Sequence, residues 1–315
     1  MNAMNDNIAR KAPSPRLRKA AQLAADANVF ACPVCEAAMA VQENTSPALA
    51  CASGHSFDFA RQGYVNLLLS NQKKSLTPGY TVQMLEARRT MLERGIFCPV
   101  SRLVADALYE RSRAITRDGK ALILDAGTGE GHLFSDIARS AAQQLTARVV
   151  GVGFDISRAG IKLACRFDTP IMWCVANAMR SLPFATAAFD AAMSILAPGS
   201  ESEFRRVVRP GGYLVRVTTG PEHLSELRKA IYADPPQEKN SDQRSEDVAL
   251  AGFCLEDSQQ LRYSFPVGPE LTASVIRMNP LFWKAPADRV ANTIKRGLPD
   301  VTIDLVMTVW RRLTP

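Results

Sequence analysis

Leu124-Asp125-Ala126-Gly127-Thr128-Gly129-Glu130-Gly131 is the stretch on which the reading of this chain turns. It follows an apolar run, Ala121-Leu-Ile-Leu124, with the length and composition of a buried strand, and it precedes helical spacing over about 131–145. Glycine in such a connection lets the backbone turn tightly and lets a ligand approach where a Cβ would collide. The helix beyond it presents free amide donors. Four more apolar runs follow: Val149-Val-Gly-Val152, Ile171-Met-Trp-Cys-Val175, Phe189 to Leu196, and Tyr213-Leu-Val-Arg-Val217. Helical segments over about 158–166 and 201–208 lie among them. Strands alternating with helices predict parallel βαβ units and a doubly wound α/β sheet, and the alternation over 301–310 predicts a last strand. Upstream, 80–95 and 99–112 carry helical spacing, while the polar stretch 234–247 reads as an exposed loop.

Dinucleotide folds use G-x-G-x-x-G after their first strand. Here the spacing is G-x-G-x-G, preceded by Asp125. It resembles the first motif of the Rossmann-type S-adenosylmethionine-dependent methyltransferases, in which the loop packs against the amino-acid end of the cofactor. Asp155 lies 30 residues after Asp125, at the end of the second strand, where a carboxylate can accept hydrogen bonds from both ribose hydroxyls. A plain α/β protein with a glycine turn and a helix-capping Asp155 is the competing reading, which loop, acid and strand order together outweigh. Asn177 follows the third strand, where such enzymes often place an acid or amide facing adenine. The fourth strand ends in Ile195-Leu-Ala-Pro198, where the methyl group is met, and it lacks the Asn-Pro-Pro-Tyr/Phe signature of adenine amino-group methyltransferases.

A second constellation lies near the N-terminus. Cys32-Pro-Val-Cys35 is followed after fifteen residues by Cys51-Ala-Ser-Gly-His55. Short spacings let each pair bend around one ion while the intervening chain closes a hairpin. Three thiolates and one imidazole complete a tetrahedral zinc shell, and a shell with no position left for water is structural. Such a site supplies roughly 10–16 kcal/mol of apparent binding free energy, enough to fold a module with almost no core. Unlinked buried cysteines or a redox Cys-x-x-Cys would leave Cys51 and His55 coincidental.

The 315 residues suggest one large domain plus something smaller, and 47% hydrophobic content is enough for a sizeable core. No run approaches the ~18 apolar residues of a membrane helix. No secretory signal is evident, and seven cysteines point to a reducing cytoplasm. Of the net charge of +7, residues 1–28 contribute +3 and read as a flexible basic tail. The remaining excess is compatible with a nucleic-acid partner but does not establish one. The organisation expected is a tail over 1–28, a zinc-binding module over 29–70, a helical linker or cap over 71–118, and a methyltransferase domain over 119–315.

These pieces, in this order, resemble the bacterial large-subunit (23S) ribosomal RNA guanine-N1 methyltransferases over roughly residues 30–313. The match rests on the cysteine–histidine set joined to Phe57-Asp-Phe-Ala-Arg-Gln-Gly-Tyr-Val-Asn-Leu-Leu68. It continues through Glu86-Ala-Arg-Arg89, the glycine loop, Val207-Val-Arg-Pro-Gly-Gly212, Gly220-Pro-Glu-His-Leu224 and Met278-Asn-Pro-Leu-Phe-Trp-Lys-Ala285. The resemblance implies zinc at Cys32, Cys35, Cys51 and His55, and cofactor contacts at Phe97, Gly129, Glu130 and His223. Phe97 stands where tyrosine is expected, so any hydroxyl contact there is lost. With the loop and strand-end residues, the candidate cofactor set is Phe97, Asp125, Gly127, Gly129, Glu130, Gly131, Asp155, Asn177 and His223. The resemblance also suggests a homodimer.

The activity this implies is transfer of a methyl group to N1 of a guanine in an RNA hairpin. The N1 proton must leave. Glu130, Asp155 and Asp190 are the carboxylates near the expected pocket, and none is assigned as the base. Arg61, Lys73, Lys74, Arg88, Arg89 and Arg94 are candidate phosphate contacts, and Tyr64 and Phe57 could stack on bases or pack around the metal. Two readings compete. A small-molecule methyltransferase leaves the zinc module idle, and a non-catalytic RNA-binding protein would have a degenerate cofactor site.

Overall fold

The computed structural model describes residues 14–42, 46–72, 79–144, 147–167, 169–232, 250–283 and 285–314. The loop expected over 234–247 and the candidate phosphate contacts Lys73 and Lys74 lie outside the described residues.

A helix, α1 (Pro15–Ala24), leads into a small antiparallel sheet of β1 (Met39–Gln42), β2 (Ala48–Cys51) and β3 (Ser56–Asp58). The short β4 (Val65–Asn66) and the helices α2 (Val82–Glu93), α3 (Cys98–Glu110) and α4 (Ser112–Ile115) follow. The expected alternation then runs β5 (Lys120–Ala126), α5 (His132–Gln144), β6 (Arg148–Asp155), α6 (Arg158–Ala164), β7 (Ile171–Val175), β8 (Phe189–Ile195), α7 (Glu201–Val207) and β9 (Val208–Thr219). The chain closes with α8 (Ser225–Ile231), β10 (Phe253–Pro266), α9 (Gly268–Met278), α10 (Ala287–Arg296) and β11 (Asp300–Arg312).

The large sheet has eight strands in the order β10-β11-β9-β8-β5-β6-β7-β4. From β4 to β9 every pairing is parallel, while β11 is antiparallel to both β9 and β10. The sheet is therefore mixed, and β10 is an element that periodicity does not reveal. Its residues are mostly exposed or half-buried, so it carries no apolar run. The strand order reverses at β5, which lies between β6 and β8, and the ends of these three strands open a crevice at the switch point.

Alternate residues of β5 enter two cores. Ala121 and Ile123 pack on one face with α2, α3 and α5, while Leu122, Leu124 and Ala126 pack on the other. That second face is covered in part by Ala20 and Leu23 of α1 and by Phe30, Met39, Leu49 and Phe59 of the small sheet's region. The small sheet is thus not core-poor, since its apolar residues complete the core of the large sheet. The chain leaves it through β4, whose Val65 and Asn66 pair in parallel with Cys174 and Val175 of β7.

This packing corrects the tail reading from Ser14 onward. Ala20 and Leu23 are each 2% exposed. Lys19 Nζ donates to the carbonyls of Thr169 (2.6 Å) and Ile171 (2.9 Å), and Asp26 receives Lys120 Nζ at 2.7 Å and Arg148 at 3.3 Å. Lys19, expected in a charged extension, instead satisfies two backbone acceptors, and Asp26 is a buried carboxylate paired with cations of the large sheet.

Candidate functional site

At one end of the small sheet, Cys32, Cys35, Cys51 and His55 bring four potential ligand atoms within 4.8 Å of one another. Cys51 ends β2, and His55 immediately precedes β3, so the hairpin itself sets their separation. Cys35 Sγ lies 3.7 Å from Cys51 Sγ, which lies 3.5 Å from His55 Nδ1. A tetrahedron with zinc bonds of ~2.3 Å to sulfur and ~2.0–2.1 Å to nitrogen has sulfur–sulfur and sulfur–nitrogen edges of roughly 3.8 and 3.6 Å. The donor set therefore fits zinc. The Ala37 backbone N–H and the Ser53 hydroxyl lower the Cys35 thiol to about 6, which favours the thiolate a metal needs.

The second site lies in the crevice at the switch point. Gly127 and Gly129 both have positive φ, as tight turning requires. Asp155 stands beside them at the end of β6. Its Oδ2 accepts the Gly129 N–H at 2.9 Å, and its Oδ1 accepts the Ser157 N–H at 2.7 Å. Loop and acid therefore share one wall. Burial raises the Asp155 carboxyl against the pull of those two donors, and burial raises Asp125 to about 7.

Two cavities meet over this wall. The first, of about 370 Å³, is lined by Gly127, Gly129, Asp155, Asn177 and the end of β8, with Tyr80, Arg88 and Trp283 on its other sides. The second, of about 490 Å³, is lined by Phe97, Arg216, Thr218, Thr219 and His223. Tyr80, Arg88, Leu196, Ala197, Pro198 and Pro280 line both, so the two compartments abut at the end of the fourth parallel-run strand. Leu196 (φ 51°) and Leu224 (φ 53°) hold the left-handed region, which is costly for a bulky residue and is held by the surrounding structure.

Asp125, Glu130 and Gly131 fall behind these walls, whereas Asn177 and His223 are part of them. Asp125 and Glu130 are each 4% exposed and line neither cavity. A Cβ on Gly131 would meet Ala164 Cβ at 2.7 Å and Trp173 Cη2 at 2.8 Å, so this glycine permits close packing of helix on strand. The Asn177 amide donates to the Gln72 carbonyl (3.1 Å) and accepts the Met179 N–H (3.0 Å), which shapes the loop at the cavity edge. Burial pushes His223 down to about 4, leaving the imidazole neutral. Its Nδ1 accepts the Asp304 N–H at 3.4 Å, so the ring proton resides on Nε2.

Asp190 is not in the pocket. It sits at the opposite end of β8, fully buried, accepting Arg117 Nε (2.6 Å), Arg209 Nε (2.7 Å) and the Leu122 N–H (2.9 Å). Tyr64 is 1% exposed, and its hydroxyl accepts Arg158 Nε at 2.8 Å, so it packs in the core and cannot stack on a base. Arg61, Arg89 and Arg94 are exposed, whereas Arg88 is inside the site.

Residues 30–76 match the zinc-ribbon family described as RlmA, N-terminal, and residues 123–212 match the family described as Methyltransferase domain. YxjB of Bacillus subtilis (strain 168), which carries the name 23S rRNA (guanine-N(1)-)-methyltransferase by inference, is 32% identical over 287 residues, 89% of this chain and 96% of its own. The 23S rRNA (guanine(748)-N(1))-methyltransferase of Streptomyces fradiae is 30% identical over 284 residues, 90% of this chain and 96% of its own. The chain belongs to the 23S rRNA (guanine-N1)-methyltransferase family.

As a member of that family it has S-adenosylmethionine as its methyl donor and zinc as its structural metal. The first cavity fits such a donor. Asp155 offers a carboxylate at its edge, and the Gly129 α-carbon is open, with only Arg88 Nε, at 3.9 Å, near the place a Cβ would fill. Sequence reasoning missed Tyr80 and Trp283 as lining residues and misplaced Arg88. The available signals were the family stretches 86–89 and 278–285, which carry no chemistry that distinguishes a cavity wall from a surface. No helix among the described residues is long and apolar enough to cross a membrane.

Proposed function

We propose that this chain transfers the methyl group of S-adenosylmethionine to N1 of a guanine in a hairpin of 23S ribosomal RNA. The observation that carries the reading is the pair of abutting cavities, one walled by the glycine loop and Asp155, in a chain of this family. When bound, S-adenosylmethionine supplies the electrophilic methyl group. Gly127, Gly129, Asp155 and Asn177 hold the cofactor from the first cavity, Phe97 and His223 border it from the second, and Asp125, Glu130 and Gly131 set the shape of the loop. The hairpin base enters the second cavity by leaving its stack.

No carboxylate lines that second cavity among the described residues. Its polar groups include Arg216, Thr218, Thr219 and His223, and His223 is a neutral donor at Nε2. Donors of this kind stabilise negative charge on guanine O6 as N1 loses its proton, which then passes to water rather than to a side-chain base. The division of labour is a zinc-binding module over 29–70 that helps grip the RNA, a cap over 71–118, and a methyltransferase domain over 119–315 acting in the cytoplasm as a homodimer.

Incubation of the zinc-loaded protein with methyl-labelled S-adenosylmethionine and 23S rRNA tests the reading. The expected product is a single labelled guanine that stops reverse transcription, because a methyl on N1 blocks the pairing edge. Label appearing only on small molecules, or none on guanine, would refute it.

A further inference from the structure

We propose that Arg88, held in place by Glu130, receives the methionine end of the cofactor, with the guanidinium binding its α-carboxylate. This rests on the reading that the first cavity holds S-adenosylmethionine.

Arg88 comes from α2, 42 residues ahead of Glu130, and its side chain is only 14% exposed. Its Nε donates to both Glu130 oxygens at 3.1 Å. The two Nη atoms make no hydrogen bond among the described residues, so up to four N–H donors are left on a group that walls both cavities. The guanidinium carbon lies 6.0 Å from the Tyr80 ring centroid and 5.9 Å from that of Phe97, which limits its orientation. A planar donor fork held this way matches a carboxylate better than a point charge does.

Position and charge point the same way. Gly129 gives its N–H to Asp155, while its α-carbon faces Arg88. A cofactor lying across this glycine with its ribose at Asp155 therefore has its amino-acid end beside the guanidinium. Arg88 is the one cation among the described residues that line the first cavity, and the acids Asp125, Glu130 and Asp155 surround the loop. A ligand carboxylate thus has one favourable partner. An RNA phosphate would be served by exposed cations such as Arg89 and Arg94, which makes phosphate contact the weaker reading for Arg88.

Calorimetric titration of the full-length zinc-loaded protein with S-adenosylmethionine and with its decarboxylated analogue provides the test. The native protein should bind the analogue roughly 10- to 100-fold more weakly, the range for losing charge-assisted hydrogen bonds. The Arg88→Met/Glu130→Gln double variant leaves no orphaned buried charge. It should bind both ligands about equally, with the same loss for S-adenosylmethionine. Arg88→Lys should keep part of the discrimination. Equal affinities in the native protein, or full discrimination in the double variant, would overturn the inference while leaving the methyltransferase reading intact. If the double variant does not fold, the native comparison alone decides. Failure of the native protein to bind either ligand would overturn both.

Discussion

Asp125 and Asp155 are both buried carboxylates, yet the structure treats them differently. Asp155 has two backbone donors and a cavity in front of it, whereas Asp125 lies behind the loop, where burial lifts its carboxyl to about 7. Between pH about 4 and 7 the folded protein therefore holds a proton on Asp125 that the unfolded chain has released. Stability from this group falls as pH rises through that window and levels off above it. In the unliganded protein the ionised group costs up to about 4 kcal/mol. Asp125→Asn should accordingly be the more stable protein by a few kcal/mol at pH 8 and nearly equal to the parent at pH 4.5, as read by urea unfolding. An advantage of the same size at both pH values would show that ionisation of Asp125 is not its source. At this scale Asp125, Glu130 and Asp155 gather at the glycine loop, but only Asp155 lines a cavity, and Asp190 lies away from it. That residue lies at the start of the strand whose end forms the pocket, and its three donors make it a fastener between β5, β8 and the arginines at 117 and 209.

The elements most visible in the sequence are β5 to β9 and the helices between them, because buried parallel strands are near-continuous apolar runs. α1 and β10 are the ones that local pattern misses. The α1 stripe of Ala20 and Leu23 is short and embedded among charges, and its partners lie on β5, β6 and the start of β7. Burial of Leu23 makes a definite demand on stability. Leu23→Ala should cost about 2–5 kcal/mol of unfolding free energy, the range for emptying a packed leucine site. A cost under 0.5 kcal/mol in denaturant titration, as expected of an exposed extension, would place α1 outside the cooperative fold. α2 shows the same limit from the other side. Its helical spacing is legible, but its docking over the glycine loop is what carries Arg88 to Glu130.

Across the whole molecule, the zinc module and the methyltransferase sheet share one core. Phe30, Met39 and Leu49 pack in the cluster that holds Leu122, Leu124 and Val152, and β4 adds the last strand to the sheet edge. Chelation of zinc, or Cys51→Ser, should therefore lower the unfolding midpoint of the entire chain in one calorimetric transition. A separate low-temperature transition, with the main one unmoved, would mean that the module folds independently. Contiguous sequence by itself determined the strand–loop–helix at 121–144, the doubly wound core and the zinc ligands, because each depends on spacings of a few residues along one local path. Only the tertiary structure decided that α1 is part of the core, that β10 and β11 close the sheet antiparallel, and which of the site's charges face a cavity. Those outcomes depend on strand order and helix docking, which bring residues tens of positions apart together through packing that no local pattern encodes.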